Sequence, residues 1–205
     1  GADVDRPLRP VLAVGLVGSM PGSCVWAFVG IWALRRLGAG QGTVGLVFFA
    51  SAAIAIAAGY FGGHLSDHVG RRPLILVAGA CQAGLMLAFL AAGRREALGL
   101  GLICLGGLFF QLGSAADQAM VADLVPPERH ESAYAAVRVA SNLGIAIGPP
   151  VGGALLALGS WSALFAGGAA VSFLGFLLAL RFLPRRGAYA PAEPPTRHSF
   201  GVIVR

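Results

Sequence analysis

Gly63-His64-Leu65-Ser66-Asp67-His68-Val69-Gly70-Arg71-Arg72 is a polar, glycine-bearing stretch set between two runs of apolar residues, each long enough to cross a bilayer. A link this short leaves no room for a domain, so its flanking helices must turn back antiparallel and hold the charges at one membrane face. Outward from it, the apolar runs fall near residues 11–34, 44–65, 74–92, 97–122, 133–158 and 161–183. Each approaches the roughly 20 residues that span a hydrocarbon core of about 30 Å. The runs are continuous, whereas the strands of a membrane barrel alternate in short segments. The sequence therefore predicts an all-α membrane protein with six transmembrane helices over residues 11–183, flanked by an N-terminal segment 1–10 and a tail 184–205.

Composition agrees, with 57% hydrophobic and 12% charged residues and a mean hydropathy of +0.77, where a soluble domain carries about a quarter charged residues. A net charge of +6 suits a nucleic-acid partner only if the arginines form a patch, and they sit instead at helix ends. With the N-terminus inside, the inner side collects Arg6, Arg9, Arg71, Arg72, Arg129, Arg181, Arg185, Arg186, Arg197 and Arg205, against Arg35, Arg36, Arg94 and Arg95 outside. This asymmetry predicts that both termini are cytoplasmic. The absence of lysine and the heavy use of Ala, Gly, Arg and Pro point to a GC-rich bacterial source. Cys24, Cys81 and Cys104 lie singly in predicted helices, without metal-ligand spacing or a disulfide framework, and no cofactor is expected. The first run is too long for a signal-peptide core and should be retained. The start at Gly1 and the proline-bearing tail from Pro184 read as parts of a longer polypeptide, the tail being a cytoplasmic linker.

Two glycine patterns carry mechanical expectations. Gly62 and Gly63 should let the end of the second helix approach a neighbour, Gly70 should permit a tight reversal, and Pro73 suits the first turn of the third helix. Asp67 lies four residues before Arg71, which offers an ion pair wherever the stretch is helical. In the fifth run, Ala136, Ala140, Gly144, Gly148 and Gly152 recur every four residues, with Pro149, Pro150 and Gly153 interrupting the upper half. Small stripes let helix backbones touch and prolines bend a spanning helix, so close packing is expected below and a kink above.

Together these residues resemble the major facilitator superfamily. Gly63, Asp67, His68, Gly70, Arg71 and Arg72 match the family's loop between helices 2 and 3, with His68 where the family generally has arginine or lysine. Gly144, Gly148, Pro149, Gly152 and Gly153 are similar to the family's antiporter motif in helix 5, with Ala135 in place of its first glycine. Ala122 to Arg129 is similar to the link between helices 4 and 5 of efflux members. The resemblance runs from about residue 10 to 185 and covers the first six of the family's usual twelve helices. It implies one bundle of two inverted three-helix repeats, a second six-helix bundle as partner, and alternating access around a site between them. It also implies gating contacts through Asp67, Arg71 and Asp123, and a transporter, not an enzyme.

Ionisable groups at membrane depth are candidate functional groups. Asp117 lies nine residues before Pro126, about 13 Å along a helix, and is a candidate for binding a proton or a cationic solute. Helix 1 has no acid between Val11 and Leu34, and no arginine lies between Glu96 and Glu128, so the coupling residues of other antiporter branches are missing. Pro21 frees the carbonyl of Val17, and Trp26 with Gln82, Gln111, Ser114 and Asn142 is expected to line a cavity with few fixed charges. Such a cavity suits lipophilic, drug-like solutes. His64 and His68, spaced i, i+4, have too few neighbouring ligands for a metal site. An intramembrane serine protease is not expected, because Gly113-Ser114 is followed by Ala115 and every histidine lies in a predicted loop, helix end or tail. The expected function is multidrug-type efflux in a bacterial cytoplasmic membrane, with protons as a candidate partner whose coupling the missing acid and arginine weaken. Import of another small solute, or a truncated or self-pairing half, are the competing readings.

Overall fold

The computed structural model describes residues 8–158 and 160–184. It contains α1 (Leu8–Trp32), α2 (Gln41–Val69), α3 (Arg71–Ala92), α4 (Glu96–Leu124), α5 (His130–Ala157) and α6 (Trp161–Phe182). Helix α1 continues through a wide π-type turn at Ala33–Leu37, and a short 3-10 turn at Pro127–Arg129 leads into α5. All six helices are long and apolar enough to cross a membrane, and no strand occurs among the described residues. Helix α1 already contains Leu8, Arg9 and Pro10, which the sequence reading places before the first span. Pro10 fits there because the first four N–H groups of a helix have no intrahelical acceptor. The predicted tail lies outside the described residues beyond Pro184.

Packing partners follow a two-fold rule. Helix α1 packs on α5 and α6, α4 packs on α2 and α3, and α3 packs on α6. Exchanging helices 1 with 4, 2 with 5 and 3 with 6 maps each of these contacts onto another or onto itself. Three spans per repeat start the second repeat at the opposite end of the bundle, so the repeats are inverted.

Buried side chains form two clusters, one toward each end of the bundle. At one end Trp32 meets Phe89 edge-on at 5.5 Å and Phe165 at 5.2 Å. The two phenylalanines stack at 5.1 Å, so α1, α3 and α6 share one aromatic core. At the other end Leu8, Leu74, Leu124, Ala133 and Leu183 belong to a second buried cluster, so the described chain begins and ends on the same side. The outward face of α2 leaves Leu46, Phe49 and Ile56 more than two-thirds exposed, as a surface turned to lipid or to another apolar partner allows.

Candidate functional site

The polar stretch quoted first is not a loop. Helix α2 runs through Gly63, His64, Ser66, Asp67 and His68 to Val69, and the only residue between α2 and α3 is Gly70. Its φ of +97° is a conformation that a side chain strongly disfavours. Gly62 approaches Leu112 and Ala115 of α4 closely, but Gly63 has no neighbour within 4 Å of where a Cβ would stand. The expected close approach therefore belongs to Gly62 alone, because one residue turns the helix face by about 100°.

Because the break is one residue long, Arg71 can fold back along the last turn of α2. Its guanidinium pairs with Asp67 through Nη1, donates from the same nitrogen to Ser66 Oγ at 3.2 Å, and donates from Nε to Asp123 Oδ2 of α4 at 3.2 Å. Arg72 donates from Nη2 to the Leu180 carbonyl at 2.7 Å, where a cation meets the negative end of α6. Two consecutive arginines thus tie the start of α3 to α2, α4 and α6. His64 and His68 stand beside this cluster with ring centroids 4.4 Å apart.

The glycines of α5 face α1. A Cβ on Gly144 would collide with Leu16 O and Ser19 Oγ, one on Gly148 with Ser23 Oγ and the Cys24 amide, and one on Gly152 with Cys24 O and Phe28. Close packing thus extends past Pro149 and Pro150 and is not confined to the half before them, and α5 remains one helix through both prolines. Neighbouring α1 adds donors to carbonyls of the same helix: Ser19 Oγ donates to Ser141 O at 2.9 Å and Ser23 Oγ to Gly144 O at 3.4 Å. Gly153 has only Phe28 nearby, at an ordinary 3.7 Å.

The family model described as the Major Facilitator Superfamily matches residues 9–205. The chain belongs to this superfamily. Among proteins similar to it, the "Uncharacterized MFS-type transporter YqjV" of Bacillus subtilis (strain 168) is 27% identical over 191 residues, 92% of this chain and 46% of the relative. A "Na(+), Li(+), K(+)/H(+) antiporter" of Planococcus maritimus is 28% identical over 135 residues, 64% of this chain and 31% of that protein. The crystal structure of the human organic anion transporter MFSD10 (TETRAN) superposes with a TM-score of 0.71 at 19% identity, covering 88% of this chain and 48% of the other, which is a likeness of fold. The chain thus spans at most about half the length of these relatives.

This major facilitator bundle holds a half-open cavity of about 830 Å³ walled by α1, α3, α4, α5 and α6. Gln82, Ser114 and Asn142 line it together with Asp117, but Trp26 and Gln111 do not. Trp26 borders a second, apolar cavity of about 380 Å³ that shares Ser19, Phe110 and Ile145 with the first. Its indole lies over Gly106 and meets Phe48 edge-on at 6.0 Å. Gln111 packs against Gly59 in the α2–α4 interface, where the glycine leaves room for its amide. Asp117 Oδ1 is buried with no hydrogen-bond partner.

Across the cavity from Asp117, α5 contributes Glu131, Tyr134 and Arg138 to the wall. Tyr134 donates to Gln118 O at 3.2 Å, and His130 Nε2 lies 3.2 Å from Ala122 O and 3.1 Å from Val125 O, capping the free carbonyls of α4. Arg138 is the residue that the helix-end reading of arginine passes over. Its place inside the fifth apolar run is the one sequence signal for it.

Proposed function

We propose that the chain is part of a secondary transporter that exports small lipophilic solutes by alternating access, with a second six-helix bundle facing this one and a proton or monovalent cation as the exchanged ion. The observation that carries this reading is the unpartnered Asp117 carboxylate, set in a largely apolar cavity with Arg138 on the facing helix. A carboxylate at membrane depth with no fixed partner is a candidate site for a proton or a cation, and binding either one gives the cavity two states of different charge. The ion-exchanging name of the Planococcus relative supports the same assignment.

The arginine cluster fits a conformational latch. Arg71, Asp67 and Asp123 join three helices at the end of the bundle that holds Leu8 and Leu183. Arg9, Arg71, Arg72, Arg129 and Arg181 also lie toward that end, which supports placing it in the cytoplasm of a bacterial cell. Cells expressing the gene are expected to accumulate less of a lipophilic dye than cells without it. Asp67→Asn is expected to abolish the difference while the amount of protein in the membrane stays the same. Asp117→Asn, which keeps the side chain's size, is expected to lower efflux at least about tenfold, the effect of losing roughly 1.4 kcal/mol of differential stabilisation. Equal dye accumulation with and without the gene would refute export, and unchanged efflux in Asp117→Asn would remove that residue from the transport cycle.

A further inference from the structure

The far end of the large cavity carries polar atoms that the reading above does not use. Both amide atoms of Gln82 in α3 and the hydroxyl of Ser172 in α6 are buried without a hydrogen-bond partner, and both residues line the cavity. They stand at one level of the α3–α6 interface, because Gly79 lies against Phe176 on one side of them and Gly168 against Met86 on the other. No charged residue of the cavity wall shares that level. Asp117 is one helical turn on one side of the Gly113–Ala78 contact and Gln82 one turn on the other, about 12 Å apart at 1.5 Å per residue. Phe109, Phe110 and Phe176 supply aromatic wall to the same cavity.

We infer that Gln82 and Ser172 form an uncharged hydrogen-bonding subsite that takes the neutral polar end of an aromatic solute, a carboxamide or a group of like donor and acceptor pattern. A glutamine amide presents donor and acceptor side by side, and a serine hydroxyl serves as either. A carboxamide answers both, whereas an ester supplies acceptors and no donor. Buried groups of this kind are normally paired, and a ligand that pairs them regains what their burial cost. A site built to hydrogen-bond a ligand discriminates strongly against analogues that leave its polar atoms bare. The inference rests on the cavity being the solute site, and it adds to that reading which end of the solute enters first and what chemistry is selected.

The test is equilibrium dialysis of naphthamide and of methyl naphthoate against the purified 205-residue chain in lipid nanodiscs, with empty nanodiscs subtracted. Naphthamide is expected to bind about tenfold more tightly than the ester, the effect of one to two net hydrogen bonds. In Gln82→Met with Ser172→Ala the ratio is expected to fall to about one while saturable binding of the ester persists, which also shows that the variant is folded. Should the double variant not fold, Ser172→Ala alone is expected to lower the ratio about threefold. Equal saturable binding of the two probes to the unaltered chain, or a ratio that survives both substitutions, would overturn the subsite and leave the cavity as a solute site. Saturable binding of neither probe would overturn both.

Discussion

Gly148→Leu is expected to leave almost no folded chain. A Cβ at position 148 collides with Ser23 Oγ, stands 2.7 Å from the Cys24 amide nitrogen and 2.9 Å from the Met20 carbonyl oxygen, and a leucine adds three more carbons in the same direction. Two of the atoms it meets are main chain, so no rotamer change relieves the overlap. The helices must separate along the whole α1–α5 contact, where Gly144 and Gly152 touch the same partner. Overpacking costs about 1–3 kcal/mol where side chains can shift. Here the cost exceeds that range and approaches a total stability of about 5–15 kcal/mol. The check is size-exclusion chromatography and thermal unfolding in detergent, with Gly153→Ala as the paired control. Gly153 belongs to the same motif but has room for a methyl group, so that variant should be neutral or gain up to about 1 kcal/mol from helix propensity. A Gly148→Leu protein that elutes and melts like the parent would refute the packing assigned to α5.

Arg71→Gln is the second large effect. The substitution removes one cation from two carboxylates, and leaves Asp67 and Asp123 facing each other and Ser66 without its donor. The three charged side chains keep 24% (Arg71), 46% (Asp67) and 21% (Asp123) of their exposure, so water screens part of the loss. A destabilisation of about 1–3 kcal/mol follows, with the Asp123 contact carrying more than the exposed Asp67 contact. Adding Asp67→Asn and Asp123→Asn to Arg71→Gln should recover most of it, since the repelling pair is then gone. Thermal unfolding of the single and triple variants measures both, and a triple variant no more stable than Arg71→Gln would show that the carboxylates are not coupled through Arg71. Under the latch reading, the triple variant should stay folded and still fail to export dye, which separates stability from gating.

Much of this molecule is legible locally. The six spans and the break at Gly70 follow from hydropathy and from one glycine followed by two arginines. The Asp67–Arg71 pair follows from spacing once the stretch is helical. Asp123 as the partner across the helix gap rested on the family resemblance, and the contact is present. Less legible was the extent of α2. A run of charge and glycine reads as a loop, but helix ends at a membrane face tolerate charge, and Gly62 is held by packing on α4 that no local pattern records.

The candidate cavity was the least legible part. Asp117, Asn142 and Gln111 are all polar residues on spanning helices, and composition treats them alike. A rotation of 100° per residue sends Asp117 to the cavity and Gln111 to Gly59 and α2. Arg138 and the Gln82–Ser172 pair came together only because α5 and α6 bring their faces to a common space with α3 and α4. The sequence by itself determined the class, the number of spans and the family, because hydropathy and short motifs are written along the chain. The tertiary structure decided which glycines touch, which acid is left without a partner and which polar residues share a cavity. Those depend on the rotation and level of each helix against its neighbours, which are set by side-chain packing between segments far apart in sequence.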